Sequence, residues 1–126
     1  MENLVLAATN STPRVDFDAT TGVISLAGES YPENAFEFYR PLLAWVRGLL
    51  AARDGAVTAE IALSYLNTSS IKSVMDLLDL LDAAHRGGRQ VAVYWRYEED
   101  NERAREMIEE FREEVTLPFF IVPQAG

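Results

Sequence analysis

The chain has 126 residues, 48% of them hydrophobic and 25% charged, with no cysteine and a formal net charge of −9. This balance predicts one domain over residues 1–126, with a core that needs neither disulfide nor metal staples. Its eleven Lys and Arg are scattered among twenty Asp and Glu in both halves, which disfavours nucleic acid and anionic membrane as partners.

The N-terminus, MENLVLAATNST, carries an acidic residue where a secretory signal would be basic, and its apolar run is short. No apolar run approaches the roughly 20 residues of a membrane span. With cysteine absent, the expected compartment is the cytoplasm.

Residues 13–29, PRVDFDATTGVISLAGE, alternate apolar and polar on either side of a turn-like DATTG, which predicts a β-hairpin. SYPEN then opens a helix: Ser30 and Glu33 have capping-box spacing, and Pro32 suits a first turn. Over residues 34–52 Ala35, Phe38, Tyr39, Leu42, Val46 and Leu49 recur at helical spacing. Tyr31, Phe36 and Trp45 fit that stripe less well, and exposed together they would mark a protein-binding surface.

A strand follows at about 56–66, with the mixed pattern of a central strand. The next helix, about 69–86, is expected to bury Ile71, Val74, Met75, Leu78 and Leu81, to turn Asp76, Asp79 and Asp82 to water, and to stop at Gly87-Gly88. RQVAVYWRY, about 89–97, is a strand on which Tyr94 and Trp95 face opposite ways. Asp100 or Asn101 caps a third helix to about 114, and FFIV after Pro118 is a last short strand. The order ββαβαβαβ predicts an α/β fold, a small mixed sheet with its helices mainly on one face.

No catalytic set stands out. The single histidine, His85, sits in the last turn of the second helix, where the macrodipole accounts for it. The acidic runs EED (98–100) and EEFREE (109–114) lack calcium-loop spacing and read as solvated surface, so no metal site is assigned. No GxxxxGK[ST] or GxGxxG is present, and no cofactor is expected.

The remaining signal is LNTSSI (66–71), three hydroxyl side chains where a strand hands over to a helix. Thr68 or Ser69 can serve as N-cap. A phosphate there would bring about −1.5 to −2 charges at pH 7, stabilised locally by the positive end of the helix. The residues themselves allow both a cap and a switch.

The same stretch resembles the phosphorylation site of anti-sigma factor antagonists of the STAS type. Those read Asp-Ser-Ser-Gly-apolar, with the first serine modified. Asn67-Thr68-Ser69-Ser70-Ile71 places the acceptor on Thr68, departing in Asn for Asp and Ser for Gly. A wider likeness runs over almost the whole chain: STP (11–13), GESYPEN (28–34), SYLNTSSIKSVMDLLDLL (64–81), AHRGGRQVAVYW (84–95) and NER with EEFRE (101–103, 109–113) resemble the SiaC family of regulatory phosphoproteins. That resemblance implies a STAS-like partner-switching module that is not an enzyme. A dedicated kinase would phosphorylate Thr68, in a loop shaped by Asn67, Ser69 and Ser70, and a metal-dependent Ser/Thr phosphatase would reverse it. The unphosphorylated form would bind and activate a diguanylate cyclase, raising cyclic di-GMP and promoting biofilm or aggregation. The helix face at Lys72, Ser73 and Asp76, with Tyr31, Pro32, Glu33 and Asn34 nearby, is the expected partner surface. The rival is a constitutive interaction or scaffold domain in which LNTSSI only caps a helix.

Overall fold

The computed structural model describes residues 1–125; Gly126, the last residue of the expected domain, lies outside the described residues. The elements are β1 (Leu4–Leu6), β2 (Arg14–Phe17), β3 (Val23–Ser30), α1 (Ala35–Ala52), β4 (Val57–Leu66), α2 (Thr68–Arg86), β5 (Val91–Glu98), α3 (Glu102–Glu113) and β6 (Phe119–Gln124). The α/β class holds, and the order gains one strand: LVL of the N-terminus pairs antiparallel with β2. Three residues are too short a run to announce a strand by alternation.

The six strands lie in chain order, β1-β2-β3-β4-β5-β6. The first three are antiparallel, and β3 to β6 are parallel. Each parallel step crosses to the adjacent strand through one helix. Right-handed crossovers of that kind put every helix on the same side. Burial agrees: Val57, Ala59, Ile61 and Leu63 of β4 are buried, while Thr58, Glu60, Ala62 and Ser64 between them are not.

The β2–β3 turn is set by local chemistry. The Asp18 carboxylate accepts the backbone N–H groups of Thr20 and Thr21. Hydrogen bonds from Thr21 and then Thr20 hold its pKa below the ordinary carboxylate value. Gly22 closes the turn at φ +74°, and a Cβ there would fall 2.5 Å from the Ala56 carbonyl.

The helix face of the sheet is filled by Ile24, Leu26, Ile61, Leu63, Val93 and Trp95 against Leu42, Val46, Val74, Leu77, Leu78 and Leu81. Trp95 is the buried member of the Tyr94–Trp95 pair; its indole N–H donates to the Leu63 carbonyl, and its ring stacks on Phe111. Tyr94, on the other face, stacks on Phe120.

Three helices leave the carboxyl ends of β3, β4 and β5, so their N-termini share one edge of the sheet. Each is capped by an asparagine: Asn34 accepts from the N–H of Glu37, Asn67 from Ser70 and Asn101 from Ala104. Asparagine is among the strongest N-caps because its short side chain reaches the N–H of N2 or N3. The cap expected at Ser30, with Glu33 three residues on, therefore sits four residues later: Asn34 caps α1, and its Nδ2 donates to the Glu37 carboxylate. Ser30 instead ends β3 and is fully buried.

Candidate functional site

The carboxyl ends of β3 and β4 bring SYPEN and LNTSSI together. The register runs Gly28 opposite Leu63, then jumps to Glu29 opposite Tyr65 and Ser30 opposite Leu66. Ser64 is the extra residue of this bulge, and Gly28 beside it has φ +116°. A bulge shifts side chains from one face to the other. Leu66 thereby reaches the core, and Tyr65, which plain alternation with Ile61 and Leu63 would bury, is half exposed.

Asn67 joins the two segments. Its backbone N–H donates to the Ser30 carbonyl at 3.0 Å, and its side-chain amide donates to the Pro32 carbonyl at 3.1 Å. Its Oδ1 accepts the Ser70 N–H at 2.9 Å. The cap of α2 is thus Asn67, rather than Thr68 or Ser69.

The three hydroxyls of LNTSSI have three different surroundings. Ser70 is fully buried, and its Oγ lies 2.8 Å from Ser30 Oγ, which in turn accepts the Tyr39 hydroxyl at 2.8 Å. Burial pushes the Tyr39 phenol up to about 12, although its bond to Ser30 opposes the rise. Ser69 is half-buried and donates to Asn67 Oδ1. Thr68, first residue of α2, is exposed.

The expected partner residues separate in the same way. Tyr31 is exposed and meets Tyr65 edge to face, with ring centroids 6.1 Å apart. Pro32 is half-buried, Glu33 is exposed, and Asn34 is occupied as the α1 cap. Lys72 is exposed and pairs with Asp76 at 2.7 Å. Ser73 is buried, against expectation. The inward stripe of α2 runs through Ser70, Ser73, Val74, Leu77, Leu78, Leu81 and Asp82; it keeps Val74, Leu78 and Leu81 of the expected stripe but is rotated toward Ser70, Ser73 and Leu77. The same rotation leaves Ile71, expected inside, 40% exposed.

Asp82 is the other correction. It was expected in water, yet its side chain is buried and its Oδ1 accepts the Thr116 N–H, the Thr116 hydroxyl and the Leu117 N–H, each at 2.9 Å. Desolvation would raise its pKa; the hydrogen bonds from Thr116 and Leu117, with Arg86 alongside, outweigh that and lower it.

Of the less regular aromatics, Tyr31 and Phe36 are exposed, but Trp45 packs on Phe17 and donates to the Glu2 carbonyl. Periodicity could not reveal a groove of about 430 Å³ lined by side chains of α2 and α3, Thr68, Ile71, Met75, Met107 and Phe111 among them. Among the described residues no three His, Asp or Glu side chains converge to hold a metal ion. No helix there is long and apolar enough to cross a membrane.

The chain is similar to known proteins over nearly its whole length. An uncharacterised protein of Pseudomonas aeruginosa (strain UCBPP-PA14) is 46% identical over 121 residues, 96% of each chain. The crystal structure of apo-SiaC from Pseudomonas aeruginosa superposes with a TM-score of 0.91 at 43% identity, covering 97% of this chain and 99% of that one. A chain in the crystal structure of the diguanylate cyclase SiaD in complex with its activator SiaC, also from Pseudomonas aeruginosa, superposes with a TM-score of 0.93 at 45% identity, covering 96% and 99%. The profile described as SiaC family regulatory phosphoprotein matches residues 6–124, and with these relatives it identifies the chain as a member of the SiaC family.

Proposed function

We propose that this chain is a phosphorylation-controlled partner-switching regulator of a diguanylate cyclase, with Thr68 as the phosphoacceptor. Unphosphorylated, it binds the cyclase and activates it, raising cyclic di-GMP. A dedicated kinase adds the phosphate, and a metal-dependent Ser/Thr phosphatase removes it. The protein acts in the cytoplasm by being bound, and catalyses nothing itself. The cyclase half of this reading is supported by a relative that was crystallised with the cyclase it activates.

The observation that carries the choice of Thr68 is the division of labour among its neighbours. Asn67 caps α2 and Ser70 is tied into the core, so neither task is left for the exposed Thr68 hydroxyl. This weighs against the rival in which LNTSSI only caps a helix. A phosphate on Thr68 adds about two negative charges next to the orphan N–H groups of the first turn, which accommodate it without unfolding the helix. Seen from a docked partner, the same charge is an added bulk and an added desolvation cost in the middle of the interface. The partner surface comprises Tyr31, Pro32, Glu33, Lys72 and Asp76 around Thr68, extended by Tyr65 and Ile71.

The test is capture of a diguanylate cyclase by wild-type, Thr68→Ala and Thr68→Asp baits, with phosphate incorporation followed in parallel. Wild type and Thr68→Ala should retain the cyclase, and Thr68→Asp should lose most of it. Thr68→Ala should take up no phosphate from the kinase; stoichiometric labelling of that variant would sink the residue assignment.

A further inference from the structure

Asn67 stands where the STAS-type site has an aspartate, and its hydrogen bonds give the substitution a physical reason. Four groups of this residue are engaged, two toward each neighbour. Toward α2, Oδ1 accepts the Ser70 N–H and the backbone carbonyl accepts the Ile71 N–H at 2.9 Å. Toward the β3–α1 loop, the backbone N–H donates to the Ser30 carbonyl and Nδ2 donates to the Pro32 carbonyl. The orientation of the amide is fixed by these partners, since an N–H faces Oδ1 and a carbonyl faces Nδ2. Aspartate would cap α2 as well as asparagine does. It has no proton for Pro32, and it would set a carboxylate against that carbonyl.

We propose that Asn67 is the positioning residue that couples the state of Thr68 to the exposed Tyr31–Tyr65 pair. The inference rests on the reading of Thr68 as phosphoacceptor. Thr68 is the next residue in the chain, and Ser69 Oγ also leans on Asn67 Oδ1. Pro32 follows Tyr31 directly, and the Tyr31 N–H is held by the Ser11 carbonyl at 2.8 Å. A phosphate on Thr68 is a stronger acceptor than a neutral carboxamide oxygen for the same first-turn N–H groups. When it draws the Ser70 N–H from Oδ1, the Asn67 side chain loses its fixed rotamer, and the Pro32 carbonyl loses its donor. The aromatic pair is then freed from the geometry in which a partner reads it. The phosphate is felt across the surface as a change of shape, in addition to the charge it adds locally.

The experiment uses the full chain and follows backbone amide hydrogen exchange in four forms: wild type, Asn67→Asp, Asn67→Ala, and a chain carrying phosphothreonine at position 68 installed during synthesis. In Asn67→Asp the loop loses its bond at the Pro32 carbonyl, so the Tyr31 amide, still facing the Ser11 carbonyl, should open and exchange up to about tenfold faster, the scale of that one lost hydrogen bond, while the Ser70 and Ile71 amides keep their protection. Asn67→Ala should loosen both sets. The phosphothreonine form should reproduce the Asn67→Asp acceleration at Tyr31. Wild-type protection of Tyr31 in Asn67→Asp, or in the phosphothreonine form, overturns the coupling. Capture of the diguanylate cyclase gives the functional arm: Asn67→Asp, with its threonine unmodified, should bind at least several-fold more weakly than wild type, and wild-type binding by that variant overturns the proposal. A cyclase that ignores the wild-type chain as well overturns the reading of function instead, and leaves the exchange data to decide the coupling.

Discussion

The two ends of α2 are anchored in opposite ways. Near its C-terminus a single charged side chain, Asp82, accepts three hydrogen bonds from residues 116 and 117 and pairs with Arg86, fastening the helix to the segment that leads into β6. At its N-terminus the ties are neutral: Tyr39, Ser30 and Ser70 form a buried chain of hydroxyls, and an asparagine caps the first turn. Buried charge is costly to leave unpaired, whereas one neutral hydrogen bond is worth about 1 kcal/mol net. The end with the charge is built to stay put. The end with the hydroxyls is held by several small terms, beside the one exposed Thr68.

Removing each anchor in turn breaks this contrast, and Asp82 should show the largest effect. Asp82→Ala orphans three donors and should destabilise the fold by about 3 kcal/mol in urea denaturation. The folded pKa of Asp82 is lowered, so the native state binds fewer protons than the unfolded chain across that interval. Its contribution is present in full above the ordinary carboxylate range, about pH 4, and fades as pH falls through the lowered value. Asp82→Asn should therefore flatten the acid limb of stability against pH, and an unchanged limb would rule out this role.

Ser30 is the middle of the neutral chain. Ser30→Ala leaves the Tyr39 and Ser70 hydroxyls without it, at an expected cost of about 2 kcal/mol, and Tyr39→Phe removes one terminal group for about 1 kcal/mol. The Tyr39 variant also has a signature in base. With the phenol raised to about 12, the native state keeps its proton where the unfolded chain has lost it. The stability this supplies is whole below pH 10 and declines as pH rises toward 12. Tyr39→Phe should lack that decline, and a tyrosine ionising near 12 in the wild-type spectrum should be missing from the variant.

How far these anchors could be read in advance depended on the range of the interaction. The strand–helix alternation is local, and hydrophobic period exposed it from the hairpin to FFIV. LNTSSI stood out because three hydroxyl residues at a strand-to-helix junction exceed what one cap needs, whereas SYPEN read as an ordinary helix start and was set beside it only by the family likeness. The one-residue bulge at Ser64 was invisible, and it decides that Tyr65 faces outward. Asp82 looked like Asp76 and Asp79 because its partners lie 34 and 35 positions along the chain. Ser30 looked like a cap for the same reason: its place in a buried relay depends on Ser70, 40 residues on. Short polar side chains have too weak a pattern of their own to reveal such long-range pairings.

The smallest expected effect sharpens the contrast most. Thr68→Asp sits at the first position of α2, where its neighbours do the structural work and a negative charge meets the positive end of the macrodipole. That interaction is worth about 0.3–1 kcal/mol at an exposed site and is favourable, so stability should hold or rise by no more than that. A constitutive scaffold would then bind as before. A switch would lose its cyclase with the fold intact, and the pair of measurements, denaturation and capture on one variant, separates the two. If Thr68→Asp instead lost more than about 1 kcal/mol, Thr68 would have to belong with Ser70 as an anchor, a cost beyond the ordinary range for an exposed substitution. The α2 N-terminus would then be a fastening like the Asp82 end, and the asymmetry between the two ends would disappear.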